Sequence, residues 1–394
     1  MNAIAETDLE TPDAARVAAL REGYRRARRA GAVRHRDIAQ GLGASEGELI
    51  AAHVCDPGVP LGWRQGAGDD SGGLVAHRLL PRWQALLAAL PPLGEVMALT
   101  RNASCVHEKT GCYEDVRAGE GGAPVGLVLG PAIDLRLFWR HWAQGYVVEE
   151  SFAASGRSPQ RSLQFYDAAG QAVHKIFARP ATDRAAWDAL VTRFLAPAQR
   201  PGVRVLPAEP PAAGRPDAEV DVAALRAGWA ALRDTHDYFG LLRQHGVTRL
   251  QALRLADPGY AQPVDAGSAR ELLEAVAASA TPIMVFVGNR GTIQIHTGPV
   301  ARVEVIGPWL NVLDPGFNLH LRADHIASAW VVRKPTVDGV VTSLELFDRD
   351  GEVIAMFFGE RKPGRPELCA WRRIADALVA DAAWAGERMP CASC

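Results

Sequence analysis

At 394 residues, with 48% hydrophobic and 22% charged residues, the chain has the composition of a globular protein with room for two ordinary domains. A net charge of -2 excludes a general electrostatic pull toward nucleic acid or anionic membrane. The opening Met1–Glu10 is acidic without an apolar centre, and no run of 18 apolar residues occurs, so neither a secretory signal nor a membrane span is expected and the cytoplasm is the natural compartment.

Residues 1–14 read as a frayed lead, and residues 15–52 carry helical periodicity. Asp37–Ala52 has the look of a helix-turn-helix, with Ser45 and Glu48 placed as a capping box. Residues 62–76 are glycine-rich and expected as loop; residues 78–90 read as a helix ended by Pro91 and Pro92. From 94 to 180 the period shortens to alternating runs, Val96–Thr100, Val125–Leu129, Tyr146–Phe152 and Leu163–Tyr166, which predict an antiparallel meander. Residues 183–196 return to helix. Residues 197–218 hold six prolines and read as a linker.

The second half repeats the first. Val128–Glu150 aligns without a gap on Val312–Lys334 with nine of 23 positions identical, too many over so short a span to be chance. Val17–Tyr24 returns as Val222–Trp229, and Ser162–Asp167 as Ser343–Asp348, in the same order. The expected fold is α+β with an internal duplication, each half a helical cap plus a large, mainly antiparallel sheet: an N-terminal repeat over 15–196, the linker 197–218, and a C-terminal repeat over 219–385. Residues present in one copy alone are the first candidates for function, because the shared ones suffice for the shared fold.

His236 is the foremost of these. Read as one helix, Ala223–Gly240 sets Leu225, Trp229, Leu232, His236 and Phe239 on a single apolar stripe. Two readings stand: a core histidine with satisfied nitrogens, or an axial ligand to a haem iron packed against the stripe. The first copy has no histidine at that place; its nearest is His35. In Thr100–Gly111, Arg101, His107, Glu108 and Lys109 are not repeated in Val287–Gly298. His107-Glu108 opens like a zinc-protease motif, but position 111 is Gly, which removes the second ligand. Arg101 ends an apolar run and either faces a pocket or forms a surface ion pair. Arg333, Lys334, Arg361 and Lys362 cluster at strand ends, as solvated cations or as partners for carboxylates. Cys391 and Cys394 form a CxxC with no second pair, which is no convincing metal site. The basic run Tyr24–Ala30 suggests DNA binding, yet its counterpart in the second half lacks the charge, which favours packing.

Several of these pieces together resemble a known family. They are Thr100-Arg-Asn with His107-Glu-Lys, Ile133-Asp-Leu-Arg, Asp234-Thr-His-Asp-Tyr-Phe, Gly307-Pro-Trp-Leu-Asn-Val-Leu-Asp-Pro, Asn318-Leu-His-Leu and Ala329-Trp-Val-Val-Arg-Lys-Pro-Thr. The chain from about 16 to 380 is similar to the HemS/ChuS/PhuS family of bacterial cytoplasmic haem-utilisation proteins. The resemblance implies haem as the cofactor, held in a cleft of the C-terminal half, with His236 as proximal iron ligand and Arg101 as the distal, catalytic residue. It places Lys334 and Arg361 near the propionates and Phe358 in the pocket, where the family often has Tyr. It implies either haem degradation or carriage of haem to a separate haem oxygenase. The partners would be haem, a haem transporter on the donor side, and a haem oxygenase or an electron donor. A haem-responsive DNA-binding protein is the remaining alternative.

Overall fold

Both copies open with helices whose first turns are closed by side chains. In the first, α1 (Ala14–Arg29) is capped by Asp13, α2 spans His35–Gly41, and α3 (Glu46–Ala52) carries the expected capping box between Ser45 and Glu48. Then follow β1 (Leu74–Arg78), α4 (Trp83–Ala88), β2 (Val96–Arg101), β3 (Cys105–Gly111), β4 (Val116–Arg117), β5 (Val125–Leu129), β6 (Asp134–Phe138), β7 (Gln144–Phe152), β8 (Arg157–Tyr166), β9 (Ala172–Ala178) and α5 (Arg184–Phe194). The second copy runs α6 (Val222–Ala230), α7 (Asp237–His245), α8 (Arg249–Leu255), β10 (Ala261–Val264), α9 (Ser268–Ser279), β11 (Ile283–Gly288), β12 (Thr292–Gly298), β13 (Val303–Ile306), β14 (Trp309–Asp314), β15 (Phe317–Arg322), β16 (Ser328–Thr336), β17 (Gly339–Phe347), β18 (Val353–Gly359) and α10 (Cys369–Ala377). Thr248 and Gln251 cap α8 with the same box that opens α3.

The computed structural model describes residues 13–31, 34–55, 73–119, 123–152, 157–211, 213–361 and 364–379. Most of the expected frayed lead, most of the glycine-rich stretch, Lys362, Cys391 and Cys394 lie outside them. Two local expectations are corrected. Leu74–Ala76, read as loop, belongs to β1, where it pairs with Val148–Glu150 of β7; the nearby glycines masked a short strand. The helix read over 78–90 is confined to Trp83–Ala88, because Arg78 closes β1.

By contact the chain divides into two units: Met1–Thr100 with Thr110–Glu209 and Asn289–Ile293, and Arg101–Lys109 with Pro210–Gly288 and Gln294–Cys394. In the first unit, β1, β7, β8, β9 and β2 pair antiparallel in that order. Tyr24, Ile38, Leu49 and Ile50 of the leading helices cluster with Tyr146, Val148 and Tyr166 of the sheet. The helices of the helix-turn-helix look thus pack against the sheet, and Arg28 of the basic run is held 3.3 Å from Glu150.

The second unit repeats this with β10, β16, β17, β18 and β11. Val285, Leu344, Leu346 and Phe357 turn one face of that sheet to Leu272, Val276 and Trp371 of α9 and α10. Val332 and Phe347 turn the other face to Leu225, Trp229, Tyr238 and Leu253 of α6–α8. Alternation along the strands puts Met284, Phe286, Met356 and Phe358 on this second face as well. They are absent from the core under the helices and stay half-buried.

Candidate functional site

The single helix expected over Ala223–Gly240 is broken. Leu225, Trp229 and Leu232 are buried as the stripe requires, but α6 stops at Ala230 and α7 starts at Asp237. Two aspartates cause the break by offering backbone N–H groups a local alternative to the helix. Asp237 Oδ2 accepts from Arg233 N (3.3 Å) and Asp234 N (3.0 Å), and Asp234 Oδ1 accepts from His236 N at 2.8 Å. His236 consequently leaves the stripe. Its side chain is 89% exposed, which excludes the core-histidine reading.

The ring is nevertheless oriented. Its Nδ1 lies 2.5 Å from Asp234 Oδ1. Asp234 is held below the usual carboxylate range, first by the His236 backbone N–H and also by His236 itself and by Arg361, so it is ionised and can only accept. Nδ1 must therefore carry a proton, so in the neutral ring the lone pair is on Nε2, the nitrogen that Asp234 does not engage. Phe239, one turn on and 55% exposed, shares that helix face.

The half-buried face of β11 and β18 supplies an apolar floor in the same unit. Met284 stands directly opposite Phe358, and Phe286 opposite Met356. Phe286 and Phe358 meet edge to face with centroids 5.1 Å apart. Phe358 thus lies on this half-buried face, with a plain phenyl ring turned to Phe286. In the first copy, Lys175 takes the place of Met356 and binds Glu46, so a comparable apolar square is not built there.

Charged residues border the floor. Arg101 ends β2, half-buried. The next residue, Asn102, donates to Gly288 O (3.1 Å) and Ile354 O (2.8 Å), which fixes Arg101 beside the ends of the two floor strands. Arg361 follows β18 by two residues, lies within electrostatic reach of Asp234, and has a buried Nε with no partner. That orphaned donor fits a carboxylate-bearing ligand.

Lys334 is differently placed. It is 3% exposed, 2.9 Å from Glu345 Oε1, and 4.8 Å from the Tyr238 ring centroid. Burial pulls it down to about 8 against the opposing pull of Glu345. Burial would raise Glu345, but Arg249 and Lys334 outweigh it and keep it ionised. Arg333 is taken up by Gln262 (2.6 Å) and Asp376 (2.6 Å). His107 is fully buried beside Phe317, away from solvent, and Lys109 contacts His296 at 2.7 Å. In the first unit, His35 is buried 3.2 Å from Glu150. Among the described residues there is no group of three or more His, Cys, Asp or Glu arranged to hold a bare metal ion.

The site residue that sequence reasoning missed is Asp234. Its signal was present: an Asp two residues before a His is placed to close a turn on it.

A model described as the haemin-degrading HemS.ChuX domain matches twice, over residues 64–194 and 246–378. The chain belongs to the HemS family. It is 39% identical over 345 residues to the hemin transport protein HmuS of Yersinia pestis, covering 87% of this chain and 92% of that one. The crystal structure of holo-PhuS, a heme-binding protein from Pseudomonas aeruginosa, superposes with a TM-score of 0.84 at 46% identity, covering 92% of this chain and 99% of PhuS. ChuS, an E. coli heme oxygenase, superposes with a TM-score of 0.74 at 36% identity, covering 88% and 96%. HemS-family membership and the two-fold repeat in the matched model agree with the resemblance and with the duplicated α+β fold. Among the described residues, no helix is long and apolar enough to cross a membrane.

Proposed function

We propose that this chain binds haem in the C-terminal half, with His236 Nε2 as the iron ligand, and that the site opens the ring to release iron. One observation carries the reading: an exposed imidazole with its Nδ1 engaged and its Nε2 free, in the unit that holds a half-buried apolar floor. Neutral imidazole is a common iron ligand, and an apolar wall with aromatics suits a porphyrin face. Bound haem would supply the iron and its oxygen chemistry. The chain's own residues do the rest. His236 donates its lone pair. Met284, Phe286, Met356 and Phe358 exclude water from the face they cover. Arg361 bonds a propionate through its free Nε, and Lys334 adds positive charge from behind its pair with Glu345. Arg101 stays cationic at any usable pH, so it does not coordinate iron but offers N–H donors to a distal water or dioxygen.

A second reading, a carrier that hands haem to a separate oxygenase, is favoured by the exposure of His236 on a surface turn, where a partner can reach it. Haem transporter, oxygenase and electron-donor partners, and a cytoplasmic setting, belong to the same proposal. The test is to load the protein with haem, add reductant with catalase present, and follow the Soret band. Loss of the band supports degradation, persistence supports carriage, and failure to load contradicts both.

A further inference from the structure

We propose that Asp234 is a positioning residue for the iron ligand: by holding the Nδ1 proton of His236 it fixes the ring's tautomer and makes Nε2 a more electron-rich donor to ferric iron. This rests on the reading of His236 as ligand.

The geometry supports it in two ways. A single carboxylate oxygen holds His236 at two points, the backbone N at 2.8 Å and Nδ1 at 2.5 Å, so both the residue's place in the turn and the direction of its ring are set. Asp237 in turn pins Asp234 through its backbone N–H. The turn is thus rigid before any ligand arrives, which is what a metal-binding side chain needs.

Stability does not account for the pair. His236 and Asp234 are 89% and 60% exposed, and ion pairs that open to water contribute next to nothing. Nor does the shared fold require it. Continuing the register that matches Val17–Tyr24 to Val222–Trp229, the first copy has Arg29 and Gly31 at the two positions. A feature found in one copy, idle in stability and built around a free imidazole nitrogen, is explained by what that nitrogen binds.

Carboxylates that accept from the second nitrogen of a metal-bound histidine orient the ring and raise its basicity. A planar ligand covering the ring would also remove water from the Asp234–His236 bond and strengthen it. An electron-rich ligand favours the ferric over the ferrous state, so the carboxylate lowers the reduction potential of bound haem.

Two variants and two readouts test this. In the haem-free protein, nitrogen-resolved NMR should find His236 protonated at Nδ1; Asp234→Ala should shift it toward the Nε2-protonated form, and Asp234→Asn, whose amide oxygen still accepts, should restore the tautomer. In the hemin-loaded protein, Asp234→Ala should raise the midpoint potential by about 59 mV, a tenfold change in the reduction equilibrium of a one-electron couple. If His236→Ala alters the hemin spectrum but Asp234→Ala leaves tautomer and potential unmoved, this inference alone is overturned. If His236→Ala leaves the spectrum unaltered, the ligand reading falls and takes the inference with it.

Discussion

Nζ of Lys334 lies 2.9 Å from Oε1 of Glu345, while Arg249 grips the same carboxylate through two nitrogens at 2.6 and 2.7 Å. The carboxylate is fully buried and answers two cations, one on β16 and one on α8. Tyr238 lies over both, with centroid distances of 4.8 Å to Lys334 and 5.0 Å to Arg249. The network therefore ties α8 and α7, the helix that His236 immediately precedes, to the sheet that carries the floor. Glu345→Gln would leave two buried cations without a counter-charge, a loss of about 3–5 kcal/mol in comparable buried pairs. The urea midpoint of the variant should fall accordingly; a midpoint equal to that of the parent would contradict the role given to this carboxylate.

The apolar floor can be tested without touching the ligand. Phe286 is half-buried and stands opposite Met356. Phe286→Asp puts a charge against the porphyrin face while costing the folded chain little, because water already reaches the site. Hemin affinity should drop at least about tenfold, as expected for an unpaired polar group pressed against apolar surface. Calorimetric titration reads this directly, and equal affinity in parent and variant would move the binding face elsewhere.

Acid sensitivity follows from three buried histidines other than the proposed ligand. Burial, above all, lowers His53 to about 4 and both His174 and His296 to about 3. Unfolded histidine titrates near pH 6.5. Between those values the unfolded chain binds more protons than the folded one, so stability is complete above about pH 6.5 and declines as pH falls toward 4. For His53 alone the span corresponds to about 3 kcal/mol. Urea midpoints should be level from about pH 8 to 7 and fall steadily through about pH 6 and 5. A level profile through that window would show that these rings are solvated or charged in the native state.

The duplication was readable because it was written twice. The capping box at Ser45 and the strand runs Val96–Thr100, Val125–Leu129, Tyr146–Phe152 and Leu163–Tyr166 appear in the fold at the expected places, whereas the second box at Thr248 was found only in the structure. The helix break at Ala231–His236 was hidden because periodicity counts apolar positions, and Leu225, Trp229 and Leu232 kept the count intact. What broke the helix was the polar chemistry of Asp234 and Asp237, which a hydrophobic pattern ignores. The same limit applies to Lys334. The resemblance implies a place near a propionate, and the buried pairing with Glu345 and Arg249, which joins residues 96 positions apart, is announced by no local pattern. Met284, Phe286, Met356 and Phe358 read as ordinary strand residues; only the register across β11 and β18 gathers them into a square.

The most direct test of the ligand assignment compares parent and His236→Ala by hemin titration in the visible spectrum. Because the side chain is almost fully exposed, the variant should fold and melt as the parent does. The parent should give a saturable Soret shift characteristic of imidazole-bound iron, and His236→Ala should bind more weakly with a displaced band that added imidazole restores. Identical spectra and affinities in the two proteins would contradict the account.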